Sequence, residues 1–248
     1  MSCNATAPAA GCVHLWVCDI SESGAPLDSS LDALTAEERE RAARFRFELH
    51  RHRHIRGRAF LRKTLGPYCD ATPNELILEI GENGKPFVDG SPVTFNLSHS
   101  ADVAVLGIAT MSEIGVDVEC FDRKVEIVSI AQRYFAESEV ATLEKLDEAG
   151  QRDLFFRLWT SKEAAMKATG DGLRIDPRSI EVTLSTSLRP AHYKGRFQPW
   201  HLSNEDLATA GATVSVAAPE AFSIIWKNSL RDSKHFHCDS GSAFPDAQ

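Results

Sequence analysis

Residues 93–119 read Val-Thr-Phe-Asn-Leu-Ser-His-Ser-Ala-Asp-Val-Ala-Val-Leu-Gly-Ile-Ala-Thr-Met-Ser-Glu-Ile-Gly-Val-Asp-Val-Glu, and their periodicity decides the fold class. Side chains on a strand alternate between faces, so a period of two marks a strand with one face in a core. In the first segment Val93, Phe95 and Leu97 share one face, and Thr94, Asn96 and Ser98 share the other. The second segment, 103–109, is almost wholly apolar, as expected of a central strand. In the third, Ile114, Val116 and Val118 are predicted inward, with Gly115, Asp117 and Glu119 outward. The intervening Thr-Met-Ser-Glu at 110–113 reads as a loop, and a boundary between two halves of the chain is placed there.

Upstream, Val13, Leu15 and Val17 alternate with His14, Trp16 and Cys18 and read as a strand. Thr35-Ala-Glu-Glu38 is a capping box, because Thr35 and Glu38 can each satisfy a backbone donor orphaned at a helix start. A second helix is expected over 49–65, stopped by Gly66-Pro67. A short strand at 76–80 leads into an Asn83-Gly84 turn. Downstream, helices are predicted at 126–134, 137–148 and 152–168, the last ended by Gly170 and Gly172. Strands are predicted at 179–184, 213–217 and 222–226. Residues 231–248 are polar, Ser-rich and aperiodic, so they read as a disordered tail. The expectation is α+β, with an N-terminal half over 1–111 and a C-terminal half over 112–230.

The chain has 248 residues, 43% hydrophobic and 25% charged, which suits one large domain or two smaller halves with a real core. A net charge of −8 argues against general binding to nucleic acid or to an anionic membrane. No apolar run approaches the ~18 residues of a membrane span. No basic residue precedes a greasy stretch at the N-terminus, so a secretory signal is not expected. Six scattered cysteines without a C-x-x-C read as free thiols in a reducing cytoplasm. The average charge hides an asymmetry: residues 39–63 hold ten Arg and Lys against two acids. A compact basic patch on an acidic protein suits a small polyanion better than a long one.

Three constellations could carry chemistry. Asp117 and Glu119, two apart on a strand, can grip a hard divalent cation between parallel carboxylates, or can be a solvated strand face. Glu163 and Lys167 stack at i and i+4 on one helix face with Trp159. Alone they are a surface ion pair beside a core aromatic; with a metal pair elsewhere, Glu163 could be a third ligand and Lys167 a cation on a phosphate. Asn96, Ser98 and His99 close a strand with polar groups suited to a phosphate, or cap a loop. Among His50, His52 and His54, the i, i+4 pair His50 and His54 is followed by no third ligand at metal spacing, and the arginines around them repel a cation. His235, His237 and Cys238 fall in the expected tail.

Taken in order, these pieces resemble the Sfp-type 4′-phosphopantetheinyl transferases. The resemblance runs through the basic segment 39–63, Gly84-Lys85-Pro86, Phe95-Asn-Leu-Ser-His-Ser100, Gly115-Val-Asp-Val-Glu119 and Trp159-Thr-Ser-Lys-Glu-Ala-Ala-Met-Lys167, over roughly residues 35–185. It implies two similar α/β halves related by pseudo-twofold symmetry, with the active site between them. It also implies transfer of phosphopantetheine from coenzyme A to a serine of an apo acyl or peptidyl carrier protein, releasing adenosine 3′,5′-bisphosphate. By family position, Arg41, Arg53, His54, Lys85, Ser98, His99 and Lys167 line the coenzyme site, and Asp117, Glu119 and Glu163 hold Mg²⁺. Glu163, directly or through a metal-bound water, is then the base, with Lys167 and His99 on phosphates. A monomer suffices for such a site. Two rivals use the same residues: a Mg²⁺-dependent phosphohydrolase with water as nucleophile, and a module that binds a nucleotide or an acidic protein without turnover.

Overall fold

The apolar alternation organises two sheets, described by a computed structural model over residues 6–122, 125–170, 174–182, 189–193 and 199–227. In the first half come β1 (Cys12–Asp19), the short α1 (Leu27–Leu31), α2 (Ala36–Ala43) and α3 (Glu48–Leu65). A small hairpin of β2 (Glu79–Ile80) and β3 (Pro86–Phe87) precedes β4 (Thr94–Ser100) and β5 (Val103–Ala109). Next are β6 (Gly115–Cys120), α4 (Ile127–Tyr134), α5 (Glu137–Leu143) and α6 (Glu148–Thr169). The chain continues through β7 (Ile180–Glu181), β8 (Arg189–Tyr193), β9 (Pro199–Leu207), β10 (Ala212–Ala218) and β11 (Ser223–Trp226). The architecture is mixed α+β.

One sheet runs β11-β1-β5-β4 and the other β6-β10-β9-β8-β7. β5 is central and buried along its length, paired antiparallel to β1 and to β4. The two sheets share a core, in which Val13 and Val105 of the first meet Val116 and Val214 of the second. The outer face of the first sheet takes Phe60, Leu61 and Leu65 of α3 against Phe95 and Leu106. The outer face of the second takes Phe155, Phe156 and Ala164 of α6 against Trp200, Leu202 and Ala217. Burying each such aliphatic or aromatic contributes roughly 1.5–3 kcal/mol, which holds the layers in register.

Local signals fix the helix starts. Glu38 N donates to Thr35 Oγ1 and Thr35 N to Glu38 Oε2, so the capping box forms as written in the sequence. Asp147 caps α6 by accepting from Gly150 N at 2.9 Å. That cap starts α6 at 148 rather than 152, and α5 accordingly stops at Leu143, short of the expected 148. Gly170 ends α6 in the left-handed region at φ +73°. The strand expected at 76–80 shrinks to its last two residues, because Glu75 N and Leu76 N bond back to Thr72 O in a turn. The strand expected over 179–184 is β7 alone within the described residues, while Gly172 and the tail 231–248 lie outside them. β8 and β9 have no counterpart in the sequence reading.

β11 lies parallel to β1, with Cys12 opposite Ser223, so a strand from the span 112–230 completes the first sheet. Cys12, Cys18 and Cys69 are free thiols, but Cys120 is disulfide-bonded, against the expectation of free thiols throughout. Among the described residues no helix is long and apolar enough to cross a membrane.

The outward face of β6 is not solvated. α6 lies on it so closely that a β-carbon at Gly115 would fall inside the van der Waals radii of Ala164 O and Ala168 N, and 2.9 Å from the Ala168 α-carbon. Backbone cannot yield as a flexible side chain does. Gly115→Ala is therefore expected to destabilise the protein by about 1–3 kcal/mol or more, read as a lowered melting temperature; an unchanged melt would show that α6 does not rest on this residue.

Candidate active site

Where α6, β6 and β4 converge, three charged or polar side chains share one centre. Lys167 Nζ stands 2.6 Å from Asp117 Oδ1 and donates to Ser98 Oγ at 2.9 Å. Ser98 Oγ in turn donates to the same Asp117 oxygen at 2.9 Å. Beside this triangle Ser100 Oγ donates to Glu119 Oε2 at 2.7 Å. The triangle follows from local periodicity: Ser98 and Ser100 share a strand face, Asp117 and Glu119 share another, and Glu163 and Lys167 are one helical turn apart.

The polar face of β4 is turned onto β6. Asn96 Oδ1 accepts from Val116 N at 2.7 Å, and Ser100 Oγ accepts from Cys120 N at 3.2 Å. Side chains of one sheet thus satisfy main-chain donors on the edge of the other, which a buried edge requires. The sequence showed this stripe as polar without showing what it meets.

Electrostatics at the centre are strained in a useful way. Burial, together with the charges of Asp117 and Glu119, pushes the Glu163 carboxyl up to about 7, with Lys167 pulling the other way. Burial works against the Lys167 ammonium, yet the charge and hydrogen bond of Asp117, with Glu163 and Glu119, raise it above its ordinary value. Asp117 is 4% exposed, and its Oδ2 is buried with no hydrogen-bond partner among the described residues. Among those residues no three His, Cys, Asp or Glu side chains are grouped as a ready-made metal cluster. The cation bonded to Asp117 is Lys167.

A line of arginines and imidazoles leads away from this centre. Desolvation, then Lys167 and Arg53, lower the His99 imidazole even though the side chain is exposed at the surface, while Asp117 draws it up. Burial, then Arg41 and Arg58, bring His54 down to about 4, and His99 adds to the effect. His54 Nε2 has no hydrogen-bond partner among the described residues, and Phe45 packs on the ring at 4.9 Å between centroids. Arg53 Nε donates to Asp102 Oδ1 at 2.8 Å, which orients the guanidinium and takes up part of its charge. Glu38 accepts from both Arg58 and Arg62 and so ties α2, which carries Arg41, to α3. Lys85 is placed differently from its expected companions: its ammonium donates to Ile114 O and Ala168 O, and burial brings it down to about 8.

The remaining motif residues are structural. Trp159 packs against Phe155 and Tyr134, the bland alternative for that position. Lys162, next to Glu163, is 1% exposed; it pairs with Glu139 at 2.8 Å and donates to Pro177 O and Ile180 O. Thr160 and Ser161 of α6 reach Ser215 of β10, and Asn204 of β9 donates to both serines at 2.8 Å. Ser215 is the cross-strand partner of Asp117, so this hydroxyl network seats α6 beside the charged centre. No local pattern announces it; only the register of β6, β10 and β9 does.

Comparison with known proteins bears on the same segments. The family model of the 4′-phosphopantetheinyl transferase superfamily matches residues 113–218, and that of the 4′-phosphopantetheinyl transferase N-terminal region matches 22–111. The chain is similar to the 4′-phosphopantetheinyl transferase HetI of Nostoc sp., 36% identical over 183 residues, 72% of this chain and 76% of that one. It is 31% identical over 158 residues to a 4′-phosphopantetheinyl transferase of Bacillus subtilis, covering 63% of this chain and 69% of the relative. Among solved structures, the Thermotoga maritima holo-[acyl-carrier-protein] synthase shows a slight likeness, with a TM-score of 0.35 and 22% identity over 42% of this chain and 61% of that one.

The raised Glu163 carboxyl has a measurable consequence. A carboxyl that ionises near 7 folded and near 4.5 unfolded binds more protons in the native state between those values. The ligand-free protein therefore loses stability as the pH rises through that window. Glu163→Gln removes the charge, so at pH 8 the variant is expected to be the more stable by roughly 1–3 kcal/mol, with the gap closing below pH 4.5. Parallel melting curves of the two proteins between pH 4 and 8 would contradict a buried carboxylate cluster.

Proposed function

Since the chain belongs to the Sfp-type 4′-phosphopantetheinyl transferase family and is an enzyme of that kind, we propose that it takes the 4′-phosphopantetheine group from coenzyme A, in a Mg²⁺-dependent reaction. The acceptor is a serine of an apo acyl or peptidyl carrier protein, and adenosine 3′,5′-bisphosphate leaves. The observation that carries this reading is the Lys167 ammonium held between Asp117 and Ser98, at the head of a line of cationic and imidazole groups. A pyrophosphate joined to a 3′-phosphate matches such a line: Lys167, Ser98 and His99 on the pyrophosphate side, then His54, Arg53 and Arg41 outward. The two sheets, each covered by one long helix, support reading the molecule as two pseudo-twofold halves with the site between them.

The donor chemistry suits Mg²⁺, although the three carboxylates are not drawn together into a ready-made cluster among the described residues. Asp117, Glu119 and Glu163 offer only hard oxygen donors, and the unpartnered Asp117 Oδ2 is a buried acceptor in need of a cation. When bound there, the ion would offset negative charge on the pyrophosphate. Glu163, directly or through a water, can take the proton of the carrier serine as its oxygen attacks the phosphorus bearing pantetheine. The bond from that phosphorus to the bridging oxygen breaks, and the electron pair leaves with adenosine 3′,5′-bisphosphate. Lys167 stabilises that developing charge from a fixed position, where a preorganised ammonium is worth several kcal/mol.

Intact-mass spectrometry of an apo carrier mixed with the protein, coenzyme A and Mg²⁺ is expected to show one added phosphopantetheine per carrier, abolished by a chelator. No mass gain on carriers from fatty-acid, polyketide and nonribosomal-peptide systems would overturn the proposal. Coenzyme A cleavage at the same rate without a carrier would instead assign a phosphohydrolase.

A further inference from the structure

Lys85 sits just after the turn at Gly84, half-buried, at the start of the β3 arm of the small hairpin. Its ammonium donates to Ile114 O at 2.8 Å and to Ala168 O at 2.9 Å. Both acceptors matter by position. Ala168 O belongs to the last turn of α6, where carbonyls lack a helical donor and where the helix dipole favours a cation. Ile114 immediately precedes β6, three residues before Asp117, and Ala168 immediately follows Lys167.

The turn carrying Lys85 is seated on the same spot. Asn83 and Lys85 Cδ fill the space over Gly170, 3.8–3.9 Å from where a β-carbon would stand. Arg174 Nη1 donates to Asn83 Oδ1 at 2.8 Å, closing the contact from the far side. One side chain of the hairpin thus grips the entry of the strand bearing the carboxylates and the exit of the helix bearing Glu163 and Lys167. Two of its three protons are committed to main-chain oxygens, and moving to a phosphate would strip both carbonyls of that donor.

We propose that Lys85 is a positioning residue, a strut that sets the spacing of β6 and α6 and acts through Asp117 and Lys167 instead of binding the coenzyme's phosphates. The proposal rests on the transferase reading above. Two variants separate the roles: Lys85→Gln keeps a neutral donor able to reach a carbonyl, and Lys85→Met keeps the bulk and loses the donor. For a strut, Lys85→Met lowers kcat roughly tenfold or more while KM for coenzyme A stays within about threefold. Lys85→Gln retains clearly more of kcat, and the melting temperature without ligand falls by ~2–5 °C in Lys85→Met and less in Lys85→Gln.

For a phosphate ligand the two variants behave alike. Both raise KM and the dissociation constant for coenzyme A, by a factor that shrinks as salt rises, and neither moves the ligand-free melt; that pattern overturns the proposal. If Lys85→Met does not fold, the division of the Lys85→Gln effect between kcat and KM decides. If the wild-type protein neither binds coenzyme A nor modifies a carrier, the transferase reading falls. The ligand-free melts then decide the strut alone: a graded loss supports it, and unchanged melts overturn it.

Discussion

A helix backbone resting directly on a strand, with no side chain between them, is the constraint on which the rest of the molecule depends. At Gly115 the main chain of α6 at Ala164 and Ala168 comes down onto β6. From that contact everything above is fixed by helix and strand geometry. Glu163 and Lys167 each precede one of the contacting alanines on α6, and Asp117 and Glu119 follow the contact on β6. One missing β-carbon thereby brings an ammonium within 2.6 Å of a carboxylate. The hydroxyl network at Thr160, Ser161 and Ser215 seats the helix on one side of the contact, and the Lys85 carbonyl bonds hold it on the other.

Collecting carboxylates around a half-buried lysine runs against stability. Desolvation alone would discharge these groups, and the carboxylates repel one another. The protein divides the load by pairing. Asp117 is charge-matched by Lys167, Glu119 is held by Ser100, and Glu163 is left to titrate near neutrality. The same logic governs the basic side. Arg53, Arg58 and Arg62 are held by Asp102 and Glu38, whereas His54 keeps a bare ring nitrogen beside Arg41. A site so arranged favours a ligand that brings negative charge to one end and positive charge to the other.

Much of this could be read from residues 93–119 and 159–167. Alternation identified β4 and β6, an unbroken apolar run identified β5, and the i, i+4 spacing put Glu163 and Lys167 on one face, because all three signals are local. What the polar stripe of β4 touches was not readable, since Asn96 meets Val116 through the packing of one sheet on another. β9 escaped notice because its Trp200-His-Leu-Ser-Asn-Glu-Asp-Leu207 run contains a polar stretch, Ser203-Asn-Glu-Asp206, that local propensity assigns to a loop; pairing with β10 overrides that propensity. The Lys85 acceptors lie 29 and 83 residues away, and a Gly-Lys-Pro turn says nothing of them. The i, i+4 pair proved more than a surface ion pair, for Lys167 bonds outward to Asp117 and Ser98.

The parallel pairing of β1 with β11 joins residues 211 apart, as at Cys12 and Ser223. During synthesis β1 emerges, and its partner follows 211 residues later. Until then one edge of the first sheet offers unpaired main-chain donors and acceptors, open to pairing with another chain. Closing a loop of that length slows the step that completes the sheet. The N-terminal half cannot be finished alone and handed on to the second. The nascent chain carries that open edge until β11 has been made.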